Sequence, residues 1–170
     1  ALLVNSTGAS NTAVGAYALD ANTTADNNTA VGKSAMTANT TGTANVAIGS
    51  LALDANTTDS YNIAIGHAAL TTSDGGVGNT AVGYSSGGGI TTGQTNTAIG
   101  ALSLNGTCTA DGNSAVGYNA LNAITSGASN SALGVSALAL NTTGANNVAI
   151  GHSSLDANTT ADNNTAVGYN

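Results

Sequence analysis

An asparagine recurs every 17 residues along this chain, at Asn11, Asn28, Asn45, Asn62, Asn79, Asn96, Asn113, Asn130, Asn147 and Asn164, without one insertion or deletion. A fixed period of this kind is the signature of a repeat architecture and takes precedence over any local reading. With each of these asparagines at position 1, position 3 is always Ala, position 5 is always Gly, and position 4 is Val, Ile or Leu. The unit is N-x-A-(V/I)-G. Position 8 is Ala or Ser, and position 9 is Leu in all copies but those carrying Met36 and Gly87. A polar turn such as Asn39 to Gly42 or Asn141 to Gly144 follows. The 170 residues make a single array, from residue 1 to residue 170, of ten such periods cut mid-repeat, and read as a piece of a longer one. Leu19 to Gly32 recurs unchanged as Leu155 to Gly168, which points to block duplication. Ser85 to Ile90 replaces the usual Ala-Leu with Ser-Ser-Gly-Gly-Gly-Ile and follows the Gly-rich Asp74 to Gly78, so a loose or bent coil is expected there.

A 17-residue unit is too short for a helix-turn-helix repeat, and Gly and Thr in almost every copy oppose helix. Two short strands joined by two turns fit, with strand one near positions 1 to 4, a turn at the obligatory Gly, and strand two near positions 7 to 10. Stacking such coils puts like residues over like at about 4.8 Å, so ten coils give a rod roughly 48 Å long. The expected fold is all-β, a parallel β-solenoid or β-roll of ten 17-residue coils. The ten asparagines would then form a structural ladder. Gly at position 5 is explained by positive φ or by close approach of another chain. Successive strand side chains face opposite ways, so Ala at position 3 looks into a tight interior while positions 2 and 4 look the other way. The branched residues at position 4 predict a second buried surface, and hence association of chains, with a trimer favoured and a monomeric solenoid as the rival.

Composition sharpens this picture. Only nine residues are charged, one Lys and eight Asp, and the polarity comes from Asn, Thr and Ser. A net charge of -7 with a single cation leaves nothing to neutralise phosphates, which argues against nucleic-acid partners. No apolar run approaches the roughly 18 residues needed to cross a bilayer, so no membrane insertion is expected in this segment. Cys108 stands alone and offers no disulfide framework.

The string N-T-A-V-G-Y-x-A-L-x-x-N-T-T-G, present as Asn113 to Gly127 with Ser114, Ile124 and Ser126 as departures, resembles the repeats of phage tail-fibre proteins. It is also similar to the N-S-V-A-I-G head repeats of bacterial trimeric autotransporter adhesins. The resemblance covers all ten periods. It implies a left-handed parallel β-roll, usually trimeric, displayed on a cell or virion surface for adhesion or reach. The period here is longer than the usual adhesin head unit and carries an additional Leu column.

No catalytic, cofactor or metal site is expected, and the chain is not read as an enzyme. His67 and His152 share position 6 with Tyr84, Tyr118, Tyr169, Lys33, Ser50 and Ala101, and neither ring has a third ligand or nucleophile. Position 6 reads as an exposed, variable row. Cys108 stands where most copies have Thr and reads as a small hydrophobe. Asp20, Asp54 and Asp156 share position 10, and Asp26, Asp111 and Asp162 share position 16. The Gly-Asp nonapeptide of calcium β-rolls is absent, so these are read as solvated turn residues rather than ligands. Glycosylation is a separate question. Asn5, Asn22, Asn39, Asn56, Asn141 and Asn158 occupy position 12 and form sequons, and Asn27, Asn105 and Asn163 make further ones. Glycans there, or O-linked sugars on the Thr columns, would line one edge of the rod. Equally, Asn-Thr-Thr-Gly is good turn chemistry in which the amide satisfies nearby backbone groups. The function expected is a structural or adhesive extracellular fibre, with self-association and contacts to surface glycans or a host receptor. The alternatives are an ice-binding Thr-rich solenoid and a polysaccharide-binding phage tail-fibre segment.

Overall fold

A computed structural model describes residues 1–170 and contains no helix. Ten three-residue strands follow one another at the period of the sequence: β1 Thr12–Val14, β2 Thr29–Val31, β3 Val46–Ile48, β4 Ile63–Ile65, β5 Thr80–Val82, β6 Thr97–Ile99, β7 Ser114–Val116, β8 Ser131–Leu133, β9 Val148–Ile150 and β10 Thr165–Val167. They form one parallel sheet in chain order. The register is rung on rung: Ala13 lies over Ala30, Ala30 over Ala47, and so on up to Ala149 over Ala166. The chain is a parallel β-solenoid of β-roll-type repeats.

One strand per coil is found, not two. The expected second strand fails because positions 8 and 9 are both inside: Ala18 and Leu19, Ala52 and Leu53, Ala120 and Leu121 are fully buried neighbours. An extended strand would send such neighbours to opposite faces. The backbone solves this by turning left-handed on either side, at position 7 (Tyr17 φ 61°, Leu51 φ 60°) and at position 9 itself (Leu19 φ 49°, Leu53 φ 52°). Left-handed φ in Leu is disfavoured by its Cβ. Its recurrence in nearly every coil indicates that burial of the side chain and the ladder bond it permits outweigh that cost. Leu19 N–H donates to the Ala35 carbonyl and Leu53 N–H to that of Ala69. Of 100 backbone hydrogen bonds only 18 lie within strands, so the turns carry most of the inter-coil ladder.

The core is a thin column of Ala from position 3, Ala from position 8 and Leu from position 9, with Met36 in one coil. Gly at position 5 has the positive φ expected of it, and it also makes a close approach, though not to another chain. At Gly100 φ is +123°, and a Cβ would stand 2.6 Å from the Gly117 carbonyl oxygen. The close approach is to the next coil of the same chain.

The coil expected to be loose keeps its register: Thr80 pairs with Thr97, and Gly87 N–H donates to the Ser103 carbonyl at 2.9 Å. Gly87 tolerates the left-handed geometry of position 9 without strain, at φ 59°. The room left by the absent Leu is taken by Ile90, whose Cδ1 lies 3.1 Å from where a Gly87 Cβ would be. The true irregularity lies one coil later, where Ile90 bridges to Cys108 instead of Thr107. One extra residue before Cys108 and one fewer after it restore the register at Ala110, whose carbonyl accepts the Asn96 Nδ2 as in the other coils.

Candidate functional site

Position 1 forms an asparagine column through every coil, and where position 12 is also Asn the two side chains converge on one carbonyl. The position 1 asparagines use Oδ1 to accept the backbone N–H of the next: Asn45 N to Asn28 Oδ1 at 2.9 Å, Asn79 N to Asn62 Oδ1 at 2.8 Å. Their Nδ2 groups reach the position 15 carbonyl, as Asn28 does to Gly42 at 2.8 Å. The ladder is thus mainly side chain to backbone; amide-to-amide links join it at Asn130, Asn147 and Asn164. Position 12 supplies the second column. Asn39 Nδ2 donates to Asn22 Oδ1 at 3.2 Å and to the same Gly42 carbonyl at 3.0 Å, and Asn56 repeats the pattern. The sequence had marked position 12 chiefly as sequons.

This corrects the glycan reading for four residues. Asn22, Asn39, Asn56 and Asn141 are fully buried. Each Nδ2 that a sugar would modify is already a hydrogen-bond donor inside the rod. Asn5 and Asn158 make the same turn bond in the first and last coils, to Gly8 and Ala161. Asn27, Asn105 and Asn163 lie at or near the surface. The Thr columns separate by environment. Position 13 hydroxyls are tied to the next coil's backbone, as Thr40 Oγ1 is to the Thr57 carbonyl at 3.0 Å. Position 14 faces outward, with Thr24, Thr41, Thr58, Thr92, Thr143 and Thr160 all exposed. Only one row of free hydroxyls therefore runs up this side, not the paired rows of a flat Thr array.

The Asn column at position 12 breaks at Ser73. The side chain there is too short to continue the ladder, and both Asn56 Oδ1 and Ser73 Oγ are buried without partners. Cys108 fills the position 12 place, not the Thr column to which its number assigns it. It is buried, with Sγ 3.5 Å from the Ala110 carbonyl. Burial pushes its thiol pKa up, and nearby Asp111 adds to the rise.

Aspartates work as turn acceptors. Asp26, Asp111 and Asp162 each accept the backbone N–H of the residue one period earlier, Ala9, Gln94 and Ala145, at 2.6 to 2.7 Å. Asp54 accepts from Thr71 Oγ1 at 2.7 Å. No three His, Cys or Asp side chains come together. A recess of about 550 Å³ at the last coil, lined by Leu155, Asn158, Asn164, Ala166 and Tyr169, is the solenoid interior viewed end-on.

Position 6 is an outward row. His67 stacks on Tyr84 with ring centroids 5.6 Å apart, and His152 on Tyr169 at 5.1 Å. Beside it, across the Gly corner, positions 2 and 4 of the sheet also face out. Val14, Ile48, Ile63, Ile65, Ile99, Leu133, Ile150 and Val167 are exposed large apolar side chains on this one face. The second buried surface predicted for position 4 is therefore open in the single chain.

Comparison of the chain with known family models, with curated proteins and with solved structures gives no match.

Proposed function

We propose that this chain is a structural or adhesive segment of an extracellular fibre, displayed on a cell or virion surface and working without catalysis. The observation that supports the reading is the unbroken rung-on-rung stack of ten coils, in which the position 1 Asn, position 3 Ala and position 5 Gly recur in every coil. Stability in such a solenoid is a sum over coils and their neighbours, so length can be extended without redesign. That suits a spacer. The stacked His and Tyr rings of position 6 suit a contact row for surface glycans or a receptor, because aromatic rings give large contact area with a polar handle. Self-association is part of the reading, with a trimer favoured, because a contiguous apolar face is a frequent mark of an interaction site.

Negative-stain electron microscopy and small-angle scattering of the purified chain test this directly. Rods whose length corresponds to roughly 4.8 Å per coil are expected. A compact particle would remove the basis for a fibre. Binding of the chain to surface polysaccharide, lost on replacing Tyr84, Tyr118 and Tyr169 together by Ser, tests the adhesive role separately.

A further inference from the structure

Asn105 and Gly106 are the chain's single Asn-Gly pair, and they lie where the ladder between coils is interrupted. At the same turn of other coils the position 11 N–H is held by the next coil, as Ala38 N–H is by the Asp54 carbonyl and Ala123 N–H by that of Ala139. The extra residue before Cys108 removes this bond. Residues 105–107 neither donate nor accept a backbone hydrogen bond, and pairing resumes with Cys108 N–H on the Gly89 carbonyl at 3.0 Å. The Asn105 amide is partly exposed and is tied into neither asparagine column. It lies over Gly88, with Oδ1 2.6 Å from where a Gly88 Cβ would stand.

We propose that Asn105 is a self-modification site, at which the folded chain deamidates through a cyclic imide. Gly106 N bonds to Asn105 Cγ, the Cγ–Nδ2 bond breaks, and ammonia leaves with the proton that Gly106 N gives up. Water then opens the five-membered ring at either carbonyl. One opening gives aspartate, and the other routes the main chain through Cγ as isoaspartate. The attack needs a following nitrogen that is not held as a donor, and it is easiest where that residue has no Cβ to crowd the ring. Asn105 meets both conditions. Other surface asparagines do not: the N–H groups after Asn27, Asn122 and Asn146 are held by Asn11 Oδ1, the Ala139 carbonyl and Asn130 Oδ1. The two Asp-Gly pairs, which can close the same ring, are held as well. Gly75 N–H donates to the Asp59 carboxylate, and Gly112 N–H to the Gln94 carbonyl at 3.0 Å. The product adds a carboxylate to a chain whose net charge is already -7. The extra main-chain atom of isoaspartate falls in the one stretch of this coil that makes no ladder bond, so the rest of the stack keeps its pairing.

The test is incubation of the whole purified chain at mildly alkaline pH, followed by peptide mapping with electron-transfer fragmentation. This reads a gain of about 1 Da at each converted asparagine and separates aspartate from isoaspartate. Asn105 is expected to convert about tenfold or more faster than Asn27, Asn122 and Asn146, to a mixture of both products, and at a rate within about tenfold of that in urea. Asp74 and Asp111 should isomerise only in urea. A native rate at Asn105 more than about tenfold below the unfolded one overturns the inference, because the fold then protects the site. So does conversion spread over the other asparagines, or aspartate as the sole product. Asn105→Gln, whose longer side chain closes the ring far more slowly, should abolish the mass gain and leave circular dichroism unchanged. A gain that persists in that variant at the original rate places the reaction elsewhere and removes the assignment.

Discussion

At the scale of single residues, the position 1 asparagines are the sharpest test of the ladder. Asn62 is fully buried, gives Nδ2 to the Gly76 carbonyl at 2.8 Å and takes the Asn79 N–H on Oδ1. Asn62→Ala would leave that N–H and one lone pair unsatisfied in the interior, at about 1 to 3 kcal/mol apiece. A fall of about 2 to 5 kcal/mol in unfolding free energy is expected from urea titration, against a much smaller effect of Asn27→Ala at the surface. Ser73→Asn should act the other way. It gives Asn56 Oδ1 the donor it lacks and is expected to stabilise by about 1 kcal/mol, read as a raised melting temperature. Cys108 makes an alkaline prediction. Its folded-state pKa is raised, so the contribution of the neutral buried thiol is complete below the thiol's ordinary value and is lost as pH climbs through the folded one. Stability measured against pH should therefore fall in the alkaline range more steeply for the natural chain than for Cys108→Ala. The asparagine period, the invariant Ala and the obligatory Gly were all readable from residue identity alone. The place of Cys108 was not, because counting by 17 hides a slip of one residue that is undone within the same turn.

At the scale of the coil, the sequence announced two apolar neighbours at positions 8 and 9, and that pair already contradicted an alternating second strand. What could not be read was how the backbone brings both inward, since left-handed φ at Leu is disfavoured locally and tolerated only because the next coil receives its N–H. The position 12 asparagines were similarly ambiguous. A sequon and a turn amide are the same letters, and burial alone separates them. The Gly87 coil supplies a coupled pair for experiment. Gly87→Leu alone would push into Leu70 and Ile90, whereas Gly87→Leu combined with Ile90→Asn reproduces the pair found in the Leu19, Leu53 and Leu138 coils. The single variant should destabilise, the double should recover most of the loss, and a double-mutant cycle should report coupling of about 1 to 3 kcal/mol. Gly100→Ala should be among the most damaging small changes, with the added methyl 2.6 Å from the Gly117 oxygen.

For the molecule as a whole, the array behaves as a one-dimensional stack in which each coil answers only to its neighbours. Excision of residues 28–44, one full period, should leave a folded rod shorter by about 4.8 Å, whereas removal of 28–43 should unfold it or scramble its pairing. Circular dichroism and proteolysis distinguish the two outcomes. The outward apolar strip was foreseen in outline, because a branched residue opposite an invariant Ala has to face somewhere dry. The same residues carry the expectation that chains associate, with a trimer favoured and a monomeric solenoid as the rival.

The verbatim return of Leu19 to Gly32 as Leu155 to Gly168 acquires a meaning once the rungs are known to be interchangeable. Because identical levels at a fixed period keep the same register, unequal crossing-over between such copies in the gene adds or deletes whole levels and spares the fold. Reach is then a trait that selection can lengthen or trim by recombination alone, with no new amino acid required.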